Sequence, residues 1–164
     1  MFDDDLIAAA AELIAACKAN GKMIATAESC TGGLLAGLLT QVPGSSSVFE
    51  RGFVTYSNAA KSELLGVDER LVAAHGAVSA EVARAMALGA LARSQAQLSL
   101  AVTGIAGPGG GSDAKPVGLV HLACATGSGV QVREERYGDI GRDNVRAAAL
   151  RTALEMLARG VAAA

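Results

Sequence analysis

Thirty-five of the 164 residues are alanine, against three Phe, two Tyr and no Trp. A core so poor in large side chains must be filled by Leu, Val, Ile and Ala. Small side chains fill space only where backbones lie close together. Twenty glycines push in the same direction. The length suits one hydrophobic core, and two full-size domains would be cramped. No repeat, linker or low-complexity tract divides the chain, so residues 1–164 read as a single domain.

Several function classes are excluded at this level. A net charge of −2 and a pI near 5.7 oppose nucleic-acid binding, and Arg136, Arg142 and Arg146 form no basic run. No apolar stretch reaches the roughly 18 residues of a membrane span. Met1 to Asp5 carries three Asp, unlike the basic start of a signal peptide, so a cytoplasmic protein without membrane partners is expected. Cys17, Cys30 and Cys124 are odd in number and far apart, and His75 and His121 are the only histidines. Neither a disulfide framework nor a metal centre is expected.

Helices are predicted over residues 3–20, 30–40, 59–65, 68–75, from Ser79 into the nineties, and 142–159. Strands are predicted over 22–28, 48–56 (with Gly52 at a bend or bulge), 97–103, 117–125 and 129–137. The last two form a hairpin around Thr126-Gly127-Ser128. Alternation early and a hairpin late predict an α/β fold, a three-layer α/β/α sandwich with a mixed sheet.

Three stretches can carry chemistry. Ala27-Glu28-Ser29-Cys30-Thr31-Gly32-Gly33 spans a strand end and a helix start. Free backbone N–H groups and a helix dipole there can hold a phosphate or an oxyanion. Ser29, Cys30 and Thr31 are candidate nucleophiles, and the helix terminus is expected to lower the Cys30 thiol pKa. The bland reading is a helix cap by Ser29 or Thr31. Two glycines in the first turn argue instead for close approach of a ligand or backbone.

The second stretch, Thr55 to Lys61, puts one of only four lysines on the first turn of a predicted helix. A cation there opposes the helix dipole. A solvated surface lysine is the commoner fate. The chemical alternative is a partly buried amine of lowered pKa that takes a proton from serine, with Tyr56 beside it. The third stretch, Thr103 to Gly111, is a glycine-rich loop after a strand. It is neither a Walker A loop nor a clean G-x-G-x-x-G. It is either a plain connection or a backbone surface for a ligand.

Taken in order, these stretches resemble one family. They are joined by Val42-Pro43-Gly44-Ser45-Ser46, Gly52 to Asn58, Gly76-Ala77-Val78-Ser79 and Lys115-Pro116-Val117-Gly118. The family is the CinA C-terminal domain, the nicotinamide-nucleotide amidases, and the likeness covers about residues 5–160. It implies hydrolysis of the carboxamide of nicotinamide mononucleotide to nicotinate mononucleotide and ammonia. It also implies a homodimer, a small-molecule nucleotide substrate and neither metal nor cofactor. The larger members carry an additional N-terminal domain, so this chain is expected to be the stand-alone form. Ser29 carries over as nucleophile, Lys61 as base and Tyr56 as its neighbour. Cys30, Thr31 and Gly32 fall at the oxyanion site. Ser46, Thr103, Gly104, Ala106, Gly107 and Arg142 fall at substrate-binding positions.

Three alternatives stand beside this assignment: Ser46 as nucleophile, Cys30 as nucleophile, and a nucleotide-binding regulatory module without catalysis.

Overall fold

The computed structural model describes residues 2–163. Five strands form one sheet: β1 (Ile24–Glu28), β2 (Phe49–Val54), β3 (Leu98–Gly104), β4 (Leu119–Thr126) and β5 (Gly129–Arg136). Their spatial order is β2-β1-β3-β4-β5. β1 is parallel to both neighbours, whereas β3–β4 and β4–β5 are antiparallel. The mixed sheet is therefore parallel at one side and a hairpin at the other, as the element order predicts.

Six helices cover the two faces: α1 (Asp4–Ala19), α2 (Leu34–Gln41), α3 (Asn58–Leu65), α4 (Glu69–His75), α5 (Ala80–Ala92) and α6 (Arg142–Ala163). Side-chain caps start four of them, namely Asp3, Ser57, Asp68 and Ser79. Among the described residues no helix is long and apolar enough to cross a membrane.

The sheet sorts its side chains by size. On one face Ile24, Leu98, Leu100, Val102, Val120 and Leu122 pack against α1, α2 and α6. On the other, Ala27, Ala101, Ala123 and Ala125 meet Ala83, Met86, Ala87 and Ala90 of α5. Seven of the alanines thus form a thin layer between α5 and the sheet, where small side chains let the backbones approach closely. Ser99 Oγ donates to the Ala87 carbonyl at 2.7 Å across that layer.

Gly52 differs from the expected bend. It stays in β2, paired with Thr26. A Cβ there would stand 2.9 Å from Thr26 Oγ1 and 3.2 Å from Ala36 Cβ. The Thr26 hydroxyl on the neighbouring strand, with Ala36 of α2 close behind it, is what excludes a side chain. The helix predicted from Cys30 begins only at Leu34, because Gly32 (φ 58°) and Gly33 (φ 97°) take left-handed conformations that end the preceding turn. Leu88, counted with the apolar repeat of α5, faces solvent at 46% exposure. The last helix runs four residues beyond its expected end, with Val145, Leu150, Leu154 and Leu157 all buried.

Topology places the functional region. β1 sends its following helix α2 to one face, and β2 sends α3 to the other. A crevice opens at the carboxyl ends of adjacent strands where the chain diverges in this way. The first turn of α6 and the loop joining β3 to β4 reach the same end.

Two glycines separate packing from propensity. A Cβ at Gly89 in α5 would fall on the carbonyl oxygen of Leu65, whereas at exposed Gly37 in α2 the nearest side chain is Phe2 at 3.8 Å. Gly89→Ala is expected to destabilise by about 1–2 kcal/mol, the overpacking cost exceeding the helix-propensity gain. Gly37→Ala is expected to stabilise by about 0.5–1 kcal/mol. Thermal melts of the two variants should shift in opposite directions.

Candidate active site

Alternation along β1 sets the geometry. Glu28 and Ser29 are consecutive, so their side chains leave the sheet on opposite faces. Glu28 turns toward α2 and Ser29 toward α3. The Ser29 amide extends the sheet by donating to Val102 O at 2.9 Å, which fixes where the turn begins.

On the α3 side, the Ser57 hydroxyl caps α3 through the Ala60 amide at 3.0 Å. One turn in, Lys61 points inward and is 1% exposed. Its Nζ lies 3.1 Å from Ser29 Oγ and donates to the Thr55 carbonyl at 2.8 Å. Among the described residues no carboxylate lies within ion-pair distance of it. Burial without a counter-ion disfavours the ammonium and pushes the Lys61 pKa below its usual 10.5. Ser29 itself is half-buried at the carboxyl end of β1. A serine hydroxyl beside an amine of lowered pKa is the arrangement an activated nucleophile requires.

Across the crevice Arg142 joins three segments. Its guanidinium donates to the Gly107 carbonyl at 2.8 Å and to the Tyr56 hydroxyl at 2.9 Å. Arg146, one turn on in α6, donates to the Thr31 carbonyl at 3.1 Å. The two cations therefore stand on the first two turns of α6, facing the glycine loop and the Ser29 turn.

The predicted residues are not all brought together. Tyr56 reaches Arg142 rather than Lys61, and it is 61% exposed. Desolvation, not the tyrosine, is what lowers the lysine pKa. Thr103 is buried and braces a loop by donating to Ala77 O at 2.8 Å. Ala106 is buried in the main core. Gly104 makes room for Leu119 and Val120, with a Cβ there only 2.8 Å from the Leu119 carbonyl. Gly107 offers its carbonyl to Arg142. Ser46 lies in a single 3₁₀ turn (Ser45–Ser47) before β2, at the amino end of the strands. That is about a strand length, roughly 15 Å, from Ser29 within the chain.

Two expectations about the helix terminus are overturned. Cys30 is buried, and desolvation raises its thiol pKa to about 12 against any opposite influence of the terminus. The first amides of α2 are not free for a phosphate either. The Glu28 side chain accepts from Gly33 N (3.1 Å), Leu35 N (2.9 Å) and Ala36 N (2.8 Å). The amide of Gly32 goes to Ser29 O at 3.0 Å. Cys30 and Thr31 keep amides without a backbone acceptor. The role of Glu28 was readable only as an acidic residue closing an apolar strand; its partners lie five to eight residues on. Lys115 was likewise missed: its ammonium bridges the carbonyls of His75 and Val78 at 2.6 and 2.7 Å, tying the glycine loop to the 76–79 segment.

The comparisons with known proteins converge on one group. The family model described as the CinA C-terminal domain matches residues 7–161. This chain belongs to the CinA C-terminal domain family. A protein of Escherichia coli K12 called nicotinamide-nucleotide amidohydrolase PncC is 49% identical over 96% of this chain and 95% of its own length. A CinA-like protein of Geobacter sulfurreducens is 54% identical over 85% of this chain, but the chain spans only 34% of that larger protein. The crystal structure of competence/damage inducible protein CihA from Agrobacterium tumefaciens superposes with a TM-score of 0.94, at 56% identity and 96% coverage of both chains. The α/β fold of this CinA domain is thus that of the superfamily's solved structures.

Two measurements check the electrostatics. Between the lowered native pKa of Lys61 and 10.5, the unfolded chain holds a proton that the native one lacks. Stability therefore falls as pH falls through that window. Denaturant titrations should show this slope in the native protein and its loss in Lys61→Met. Separately, iodoacetamide at pH 8 should leave Cys30 unmodified until denaturant is added, as read by mass spectrometry.

Proposed function

We propose that this chain is a nicotinamide-nucleotide amidohydrolase that converts nicotinamide mononucleotide to nicotinate mononucleotide and ammonia by a serine–lysine mechanism. The near-full-length likeness to the Escherichia coli amidohydrolase supports the reaction. The observation that carries the mechanism is the buried, unpaired Lys61 at 3.1 Å from the Ser29 hydroxyl.

Neutral Lys61 accepts the Ser29 proton as Oγ attacks the carboxamide carbon. The Cys30 and Thr31 amides donate to the oxygen that becomes negative in the tetrahedral intermediate. The protonated lysine returns its proton to the leaving nitrogen, the C–N bond breaks and ammonia departs. Water then attacks the acyl carbon with Lys61 again as base, the ester bond to Ser29 Oγ breaks as Lys61 returns the proton to that oxygen, and the acid product loses its proton to solvent and leaves as the carboxylate. The Thr55 carbonyl holds Nζ in place and accepts from the ammonium while it exists. Arg142 and Arg146 supply positive charge for the nucleotide phosphate, with the Gly107 backbone and Tyr56 beside it.

Burial of the Cys30 thiol and its raised pKa weigh against a cysteine nucleophile. A homodimer, which rests on the family resemblance, and a cytoplasmic location, which rests on the acidic start of the sequence, belong to the same reading. Sedimentation of the purified protein checks the dimer.

Ammonia release from nicotinamide mononucleotide tests the whole reading against a binding module, which would bind without turnover. Ser29→Ala and Lys61→Met should each lower kcat by about 10²–10⁴, whereas Ser46→Ala should stay within about threefold of the parent. Full activity in Ser29→Ala would exclude it as nucleophile. Because the base must be neutral, kcat/KM should rise with pH and level off above the lowered Lys61 pKa, on the low side of 10.5.

A further inference from the structure

The proposed reaction starts from a neutral carboxamide and ends with a carboxylate at the same carbon. A site built on a helix N-terminus has a difficulty with that change, because the positive end of the helix favours an anion and would retain the product. The buried side chain of Glu28 bears on this. It is 0% exposed, and every contact it makes is as an acceptor. Its Oε2 takes the Gly33 and Leu35 amides, and its Oε1 takes the Ala36 amide, with Thr26 Oγ1 at 3.5 Å. Both oxygens thus meet only donors among the described residues, so the side chain serves the turn wholly as an acceptor.

Resting on the amidohydrolase reading, we infer that Glu28 is a positioning residue that governs product release. It fills the anion-attracting start of α2 so that the nicotinate carboxylate is not held there. The same side chain closes the Ser29–Gly33 turn from behind, so it also fixes where the Cys30 and Thr31 amides sit. Directed hydrogen bonds from those two amides serve the oxyanion while it forms. The undirected field of the helix, which would favour transition state and product alike, is neutralised by a charge the protein carries itself. A cap of Ser or Asn would satisfy an amide without cancelling that field. Glu28 lies on the face of β1 opposite Ser29, so it does not touch substrate.

The test compares affinities for the two nucleotides. Binding of nicotinamide mononucleotide and nicotinate mononucleotide is measured by calorimetry in the Ser29→Ala background, with and without Glu28→Gln. Glu28→Gln should tighten product relative to substrate by about three- to tenfold. In the otherwise unmutated enzyme the product inhibition constant should fall against KM by the same factor. Glu28→Asp keeps the charge and should leave the ratio near that of the parent. A Glu28→Gln variant with lower kcat or stability but an unchanged ratio would reduce Glu28 to a structural cap and overturn the inference. Should Glu28→Gln fail to fold, the parent decides alone: product bound tenfold or more tighter than substrate overturns the inference, and comparable or weaker product binding supports it. No ammonia from the parent enzyme would instead refute the amidohydrolase reading, an outcome distinct from these.

Discussion

An amine with no carboxylate beside it lies inside a folded protein at a cost, because its charged form loses hydration that nothing replaces in full. The rest of the active end is arranged around that cost at Lys61. The residue sits on the first turn of α3, where the helix dipole adds to the penalty on the ammonium. Two oxygens, one from Ser29 and one from the Thr55 carbonyl, are the polar partners it receives. For them to converge, β1 and β2 must lie parallel and send their helices to opposite faces. The order of strands, the parallel pairing of β1 with β2 and the Ser57 cap all serve one 3.1 Å contact.

Charge is managed differently on the other face of β1. There the helix N-terminus of α2 meets a carboxylate from the preceding strand, and the two compensate locally. The neighbouring thiol shows which influence dominates in this region: near a helix start and two arginines, Cys30 is still governed by burial. Proximity to a dipole is therefore a poor guide to a group's ionisation here unless solvent access is known as well.

Much of the fold was legible because its signals are local. Ser57 and Ser79 stand where caps belong, Gly66 takes the left-handed conformation that closes α3, and the Thr126–Ser128 segment makes the hairpin. Ser29 and Lys61 were legible as a pair because histidine is scarce and lysine scarcer on helix starts. What escaped were relations set by distance along the chain. Tyr56 and Arg142 are 86 residues apart, and no pattern around either indicates that the hydroxyl would meet the guanidinium rather than the lysine. Gly104 and Gly52 read as ligand contact and bend, but their hydrogens face other parts of the protein, which only packing reveals. Ser46 has the right residue type and lies at the other end of the strand from Ser29.

The thin layer between α5 and the sheet also sets how such a chain can diverge. Where Leu meets Val or Ile, a loss of volume on one element can be made good by a gain on its neighbour. Alanine facing alanine has no volume to exchange: a smaller residue weakens the helix or strand, and a larger one forces the backbones apart. Sequence change at those alanine pairs therefore has few neutral paths, and drift is easier on the face of larger side chains covered by α1 and α6. The two faces of one sheet carry unequal freedom to vary, and the buried Lys61 hangs from the side that has less.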